Sequence, residues 1–354
     1  MIDAALDISL TKTKQSRLAE VDFSNIGFGK HYSDHMFVAD YKGGEWTNLS
    51  IIPYGDIALS PANSALHYGQ SIFEGLKAYK NNADEIVLFR PDRNWDRMNK
   101  SAERMMMAQL PKEVFMDGLK QLLQLDANWV PSLPNSLYVR PFMFATDPYI
   151  GVKPSDTYRF MIFTTPVGSY YSEPVKVKIE KKFTRASAGG TGFAKTAGNY
   201  AAALYPAKLA QDQGYHQLIW TDGKTHEFIE ESGTMNVMFV INDTLITAPA
   251  SETILNGVTR DSVLTLARDW GMKVEERPVR VAEVVEAAKA GTLQEAFGAG
   301  TAATIAHIAV IGHEGEDFTL PAIEDRKFSP KVLKALDAIK TGEMEDKFGW
   351  IYKA

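Results

Sequence analysis

A glycine-rich segment that closes on a lysine constrains the fold of this 354-residue chain more than any other stretch. Residues 187–200 read Ser-Ala-Gly-Gly-Thr-Gly-Phe-Ala-Lys-Thr-Ala-Gly-Asn-Tyr, and a helix is predicted from the end of this segment, over Asn199–Gln213. Glycine lets the backbone come close to a bulky group. An amine that forms a Schiff base must be held in a fixed position, and a crowded loop of this kind can hold Lys195. The alternative is an exposed lysine in a flexible turn.

The same segment matches the phosphate-binding loop of nucleotide hydrolases only in part. Gly189 stands where the first glycine of that motif belongs, and Lys195-Thr196 match its end. Ala194 occupies the position of the second glycine, which that loop needs so that its backbone can wrap the phosphates. The sequence therefore argues against a phosphate-binding loop.

The composition argues against several classes of protein. The chain has no cysteine, which excludes disulfides, thiolate metal sites and cysteine nucleophiles, and no metal site is predicted. A formal net charge of -6 argues against nucleic acid as a partner. The first twenty residues mix charged and apolar side chains, and no uncharged apolar run approaches the ~18 residues that span a bilayer. We therefore expect no membrane association and a cytoplasmic location.

The chain is longer than one compact core usually holds, so two domains are expected. Residues 166–174 break the pattern with two prolines and a glycine. The predicted organisation is an N-terminal domain over 1–168, a linker over 169–174 and a C-terminal domain over 175–354. The main predicted strands are His35–Tyr41, Glu85–Arg90, Ser136–Thr146, Tyr158–Val167 and Val175–Ile179. The main predicted helices are Asn94–Met107 with Asn94 as N-cap, Lys112–Trp129, Arg260–Trp270, Val281–Ala290 and Lys331–Lys340.

The motif Lys195-Thr196-Ala197-Gly198-Asn199-Tyr200 resembles the cofactor-lysine motif of branched-chain amino acid aminotransferases. These are fold type IV enzymes that use pyridoxal 5'-phosphate, and the resemblance runs from about Phe28 to Trp350. It implies an α/β fold of the α+β type, with a smaller N-terminal α/β domain and a larger C-terminal domain that has a β-barrel-like core. It also implies that Lys195 holds the cofactor as a Schiff base and acts as the general base.

The resemblance assigns further residues to the cofactor. Glu231, in the segment 230–236, would keep the pyridine nitrogen protonated. Arg97 would pair with the phosphate, since a guanidinium can meet two of its oxygens. The turn Gly257-Val258-Thr259-Arg260 opens a helix and would receive the same phosphate, although Asn256 stands where the family usually has proline. The implied cofactor-binding set is Arg97, Arg185, Lys195, Tyr200, Glu231, Val258, Thr259 and Thr301, of which Lys195, Glu231 and Tyr200 are catalytic.

The resemblance likewise implies a pocket that accepts both an aliphatic side chain and a carboxylate. Arg140 would meet the distal carboxylate of glutamate, and the N–H groups around Thr301 and Ala302 would receive the α-carboxylate. For Phe28, Val152 and Tyr170, ordinary packing is the alternative explanation. The implied substrate-binding set is Phe28, Tyr68, Phe73, Tyr138, Arg140, Val152, Tyr170, Thr234, Thr301 and Ala302.

Two sequence features distinguish among relatives that share this fold. The segment Phe28-Gly29-Lys30 lies before the common core, and residues 341–350 resemble the C-terminal signature of the branched-chain group. D-amino acid aminotransferases and aminodeoxychorismate lyases usually lack this N-terminal part. These two activities, and a non-catalytic carrier of the cofactor, remain alternatives. The implied reaction transfers the amino group of leucine, isoleucine or valine to 2-oxoglutarate, and the implied assembly is a homodimer.

Overall fold

The structure, a computed structural model, describes residues 6–168 and 173–354. The chain forms two compact units. The first unit consists of the described residues up to 168 together with Ala194–Ala197 and Ala338–Ala354. The second unit consists of residues 173–193 and Gly198–Asp337. Most of the predicted linker, and Tyr170 with it, lies outside the described residues. Among the described residues, no helix is both long and apolar enough to cross a membrane.

The elements are numbered in chain order. The strands are β1 (Ser9–Leu10), β2 (His35–Lys42), β3 (Glu45–Pro53), β4 (Ser71–Phe73), β5 (Leu76–Lys80), β6 (Ile86–Phe89), β7 (Ser136–Ala145), β8 (Tyr158–Val167), β9 (Val175–Ile179), β10 (Gln217–Thr221), β11 (Phe228–Ser232), β12 (Met235–Ile241), β13 (Thr244–Thr247), β14 (Lys273–Glu276), β15 (Val279–Arg280), β16 (Leu293–Gly300), β17 (Thr304–His313), β18 (Glu316–Thr319) and β19 (Ile351–Lys353). The helices are α1 (Ser64–Tyr68), α2 (Pro91–Arg104), α3 (Lys112–Leu125), α4 (Ala197–Gln211), α5 (Val258–Asp269), α6 (Val281–Lys289) and α7 (Ser329–Thr341). Short 3-10 turns cover Leu18–Glu20, Ala127–Trp129 and Ile323–Asp325.

The first unit is built on one mixed sheet with the strand order β1-β3-β2-β8-β7-β5-β6-β19, and β4 pairs with β7. The long apolar strands β7 and β8 lie antiparallel over their full lengths, with Ser136 opposite Val167. Helix α3 packs on β2 at a glycine, because a Cβ atom at Gly118 would lie 2.7 Å from the Phe37 ring. Phe37 belongs to the buried apolar core beneath the sheet, with Phe115 and Phe160.

Helix α2 begins three residues earlier than the sequence predicted, so the prediction of Asn94 as its N-cap was wrong. Pro91 is the first helical residue and Arg90 the N-cap. Proline suits a first turn because its fixed φ is helical and its missing N–H would have had no helical acceptor there. Asn94 therefore lies inside the helix, where it is buried and donates to Glu74 Oε2 at 2.8 Å.

The second unit contains a closed ring of strands. Its sheet has the order β14-β13-β12-β16-β17-β9-β10-β11-β15, and β11 also pairs with β12. That additional pairing joins the six strands from β12 through β16, β17, β9 and β10 to β11 into a barrel. Buried apolar side chains that include Val177, Ile219 and Phe239 form its core. The expected α/β fold with a β-barrel-like core is confirmed.

Candidate active site

Lys195 is fastened to the first unit through its own backbone. Its N–H donates to Ser101 Oγ of α2 at 2.9 Å, and its carbonyl accepts from Phe73 N–H at 3.0 Å. The next residue, Thr196, forms an antiparallel bridge with Ile72 of β4. Backbone bonds on both sides fix the direction in which the lysine side chain leaves the chain. The half-buried lysine is therefore held by β4 and α2 and does not stand in a free turn.

The Phe73 ring adjoins two cationic groups of the first unit. Lys195 Nζ lies 4.8 Å from the ring centroid, and the Arg140 guanidinium carbon lies 4.6 Å from it. Arg140 Nη2 donates to the Tyr138 hydroxyl at 3.2 Å, and the Phe28 ring meets the Tyr138 ring edge to face at 5.2 Å. Five residues predicted from the sequence thus lie close together. They provide an amine, a guanidinium and three aromatic rings.

Other predicted pocket residues of the first unit are more exposed. Tyr68 is 39% exposed, and Val152 is 89% exposed in the single chain. An apolar side chain as exposed as Val152 does not by itself wall a pocket within this unit. Tyr170, the third predicted wall residue, lies outside the described residues.

Arg97 forms a buried ion pair that the sequence did not predict. Its Nε donates to Glu74 Oε1 and its Nη2 to Glu74 Oε2, both at 2.8 Å. Burial by itself would raise the pKa of Glu74. The charge and hydrogen bonds of Arg97, the charge of Lys195 and the Asn94 bond outweigh burial and hold that pKa below its ordinary value. The sequence does contain one sign of this ion pair, because Glu74 is an acidic residue inside the apolar run Ile72–Leu76.

In the second unit, the buried carboxylate of Glu231 is held by an N–H group and a cation. Leu255 N–H donates to Oε1 at 2.8 Å, and Arg185 Nε lies 3.1 Å from Oε2. Asn236 Nδ2 donates to the Leu255 carbonyl at 2.8 Å and thereby fixes the loop that supplies this N–H. Arg185, predicted near the phosphate, also donates to the carbonyls of Gly192 and Thr253.

The N-terminus of α5 has the features of an anion site. Gly257 is the N-cap, and no side chain caps the helix. The first N–H groups of a helix have no acceptor within it, and the helix dipole favours negative charge there. A Cβ at Gly257 would lie 2.1 Å from Asn236 Oδ1, so this turn requires glycine. The helix begins at Val258, two residues before the predicted Arg260, and Asn256 in place of proline does not prevent the turn.

Three further predicted residues of the second unit, Thr234, Thr301 and Ala302, lie in two turns at one end of the barrel. Thr234 is in the turn between β11 and β12, and Thr301 and Ala302 are in the turn between β16 and β17. The two turns are neighbours because Asn236 pairs with Ala299 and a Cβ at Gly300 would lie 3.0 Å from Met235 Cγ. Tyr200 is half-buried in the first turns of α4.

Each unit carries groups of the kind that pyridoxal 5'-phosphate requires. The first unit has an amine at Lys195 that could meet an aldehyde, and the second has a buried carboxylate at Glu231 that could meet a pyridine nitrogen. A phosphate requires cationic and N–H donors, which Arg97 in the first unit and the uncapped start of α5 in the second could provide. The lysine and arginine belong to the first unit, and the glutamate and α5 belong to the second.

The class of protein follows from this fold, these residues and a family comparison. The model of the amino-transferase class IV family matches residues 71–311. The chain is thus a class IV aminotransferase, a class of enzyme that uses pyridoxal 5'-phosphate.

Individual relatives narrow this class to a family. Branched-chain-amino-acid aminotransferase 2 of Bacillus subtilis (strain 168) is 42% identical, over 99% of this chain and 97% of the relative. Branched-chain-amino-acid transaminase 1 of the same organism is 43% identical, over 93% and 94% of the two chains. The solved branched-chain amino acid aminotransferase of Escherichia coli matches with a TM-score of 0.74 and 25% identity, over 90% of this chain and 99% of that one. This chain belongs to the branched-chain amino acid aminotransferase family.

Glu230, next to Glu231, is a buried carboxylate of a different kind. Thr253 Oγ1 donates to its Oε1 at 2.6 Å, and its buried Oε2 has no hydrogen-bond partner among the described residues. Burial raises the pKa of Glu230 above its ordinary 4.5. The Thr253 bond and the charge of Arg185 oppose this, and the charge of Glu231 adds to it. The folded protein therefore binds this proton more tightly than the unfolded chain, and stability is lost as pH rises from 4.5 through the raised pKa.

We predict that Glu230→Gln stabilises the protein at pH 7 by about 1 kcal/mol, because it removes a buried charge with an unpaired oxygen. The gain should vanish below pH 4.5, where the native carboxyl is protonated as well. Thermal unfolding at a series of pH values measures this. As a control, Glu227→Gln changes a residue paired with Arg280 at the exposed surface and should bring no such gain. An equal gain at every pH would contradict the explanation.

Proposed function

We propose that this chain transfers the α-amino group of leucine, isoleucine and valine to 2-oxoglutarate, releasing branched-chain 2-oxo acids and L-glutamate. The observation that carries the proposal is the arrangement of Lys195 and Arg140 about the Phe73 ring. It places the amine beside an apolar aromatic surface and a guanidinium, which are the groups needed by an aliphatic and a carboxylate-bearing substrate. The names of relatives 42–43% identical support this substrate class.

The cofactor and the lysine divide the chemistry. Pyridoxal 5'-phosphate, when bound, supplies an electron-withdrawing ring that stabilises negative charge at the substrate Cα. Lys195 would carry the cofactor. Once the incoming amino group has displaced it, the freed Nζ would take the proton from the Cα of the branched-chain substrate and, in the second half-reaction, give a proton to the Cα of the glutamate that forms. The Phe73 and Ser101 contacts hold the backbone of Lys195 in place, so the amine starts from a fixed position in the chain.

The other cofactor residues act by binding and orientation. The Glu231 carboxylate would hold a proton on the pyridine nitrogen, and Arg185 orients that carboxylate through their ion pair. Tyr200 would donate to the phenolic oxygen of the cofactor. In the first unit Arg97 would bind phosphate oxygens, and in the second unit Thr301 and the N–H groups of Val258 and Thr259 would do so.

Arg140 allows one pocket to accept two kinds of substrate. Its Nε is buried and has no hydrogen-bond partner among the described residues, so it can donate to the distal carboxylate of glutamate. When an aliphatic side chain occupies the pocket, the guanidinium keeps its stacking on Phe73 and its bond to Tyr138. Thr234, Thr301 and Ala302 would receive the α-carboxylate common to both substrates.

The function is tested by the visible spectrum of the purified protein with pyridoxal 5'-phosphate. We expect a yellow absorption band that L-leucine bleaches and D-alanine does not. Lys195→Ala should lose both the band and its response, because it removes the amine. Lys208→Ala, at an exposed lysine of α4, should keep both. Bleaching by D-alanine alone would assign the chain to D-amino acid transamination, and an unchanged Lys195→Ala spectrum would refute the role of Lys195.

The role of Arg140 is tested by Arg140→Met. We expect kcat/KM for glutamate to fall about 100-fold and that for leucine to change less than about threefold, because only glutamate loses a charged hydrogen bond. Arg159→Met provides a matched control, since Arg159 pairs with Asp40 on neighbouring strands of the same sheet. The control should affect the two substrates alike. Equal losses for both substrates in Arg140→Met would contradict the assignment.

We further propose a homodimer, in which the loop that carries Val152 is covered by a second copy of the chain. Tyr149, Ile150 and Val152 lie close together in this loop, and each has more than half of its surface exposed in the single chain. Contiguous exposed apolar side chains favour burial against a partner. A partner chain would also reconcile the exposure of Val152 with its predicted place in a pocket. The cytoplasmic location expected from the sequence stays a prediction.

Light scattering coupled to size-exclusion chromatography tests this assembly. Wild-type protein should have the mass of a dimer, and Val152→Asp should shift the equilibrium towards the monomer by placing a charge in the covered surface. Met106→Asp, at another exposed apolar residue of the first unit, should leave the mass unchanged. A monomeric wild-type protein would refute the dimer, and a dimeric Val152→Asp would refute the role of this loop.

A further inference from the structure

We propose that Glu74 is a positioning residue for the cofactor phosphate, because it fixes the Arg97 guanidinium in one orientation. The inference rests on the proposed role of Arg97 in binding that phosphate. Glu74 itself is not assigned a contact with cofactor or substrate. It acts through the arginine.

Four donors meet the Glu74 carboxylate, which has no exposed surface. Arg97 supplies two of them, through Nε to Oε1 and Nη2 to Oε2. Asn94 Nδ2 donates to Oε2 at 2.8 Å and Gly75 N–H to the same atom at 3.2 Å. Asn94 and Arg97 are three residues apart and thus lie on one face of α2. Glu74 thereby ties that helix face to the chain directly after β4, the strand that also holds Lys195.

This arrangement determines how Arg97 can meet an anion. The arginine is 8% exposed, and a buried cation without a counter-ion is strongly destabilising. The bidentate pair supplies the counter-ion and uses the Nε and Nη2 edge of the planar guanidinium, so the Nη1 group lies outside the pair. Because the plane is fixed before an anion arrives, little side-chain entropy remains to be lost on phosphate binding.

The negative charge of Glu74 also repels a phosphate, so the two effects must be compared. Arg97 and Lys195 both act on Glu74, and both favour its ionised form. With two cations around one carboxylate, the cluster remains attractive to an anion before the cofactor binds. Hydrogen bonds between two charged groups are stronger than those between neutral groups, and here two such bonds maintain the geometry. We therefore expect loss of orientation to outweigh loss of repulsion when Glu74 is neutralised.

The test compares pyridoxal 5'-phosphate with pyridoxal, which lacks the phosphate. Each is titrated into full-length protein stripped of cofactor, and the ratio of the two dissociation constants isolates the contribution of the phosphate. Glu74→Gln should lower the preference for the phosphate-bearing aldehyde about tenfold, because the glutamine amide turns an N–H₂ donor towards donors of Arg97 or Asn94. A general loosening of the fold would weaken both ligands and leave the ratio unchanged.

Three further variants make the result specific. Asp40→Asn breaks a matched bidentate pair with Arg159, at 2.7 and 3.1 Å, and should lower thermal stability without changing the ratio. Arg97→Gln should lower the ratio by itself. Adding Glu74→Gln to Arg97→Gln should lower the ratio no further, since Glu74 acts only through Arg97. Glu74→Asp keeps the charge but is too short to keep both bonds, so it should also lower the ratio.

The outcomes separate the inference from the function on which it rests. A normal ratio in Arg97→Gln would overturn the proposed role of Arg97. A lowered ratio in Arg97→Gln with a normal ratio in Glu74→Gln would overturn the positioning role of Glu74 alone. If Glu74→Gln does not fold, Glu74→Asp decides: a lowered ratio supports the inference, and a normal ratio overturns it.

Discussion

The attachment of Ala194–Ala197 to β4 and α2 is the constraint on which the rest of the candidate site depends. The Lys195 N–H donates to Ser101 Oγ and its carbonyl accepts from Phe73 N–H, so the backbone of the lysine cannot move without breaking these hydrogen bonds. The same few residues of β4 carry Phe73 and lead into Glu74. The aromatic wall, the amine and the buried carboxylate are consequently placed by one short strand. A change in the packing of β4 would alter all three together.

Paired charges recur in both units, each built from one buried carboxylate and one arginine. Glu74 is paired with Arg97 in the first unit, and Glu231 with Arg185 in the second. Burying such a pair stabilises little overall, because desolvation offsets the attraction between its charges. Its value lies in fixing the direction of a polar group. Glu230 shows the contrast, since it has a hydroxyl donor and an unpaired oxygen, and burial raises its pKa.

Closure of the barrel brings the predicted site residues of the second unit close together. The pairing of β11 with β12 places Glu231 opposite Asn236, and the pairing of β12 with β16 continues to Ala299. One end of the barrel therefore carries the carboxylate and the two turns that contain Thr234 and Thr301. Asn236 connects these elements, because it braces Leu255, a donor to Glu231, and lies against Gly257 at the start of α5.

The sequence by itself determined the features that depend on neighbouring residues. The strands Tyr158–Val167 and Val175–Ile179 agree with the structure, because apolar patterning is a local signal. The lysine and glutamate motifs are likewise short and contiguous. Tertiary structure decided what depends on distant partners. The helix predicted over Lys112–Trp129 stops at Leu125, and Asp126 instead binds His35, 91 residues away. Asn94 and Arg97 are committed to Glu74, the lysine segment joins the first unit, and β11 closes the barrel. No local pattern encodes these pairings, because a buried polar group takes its role from whichever donor the folded chain brings to it.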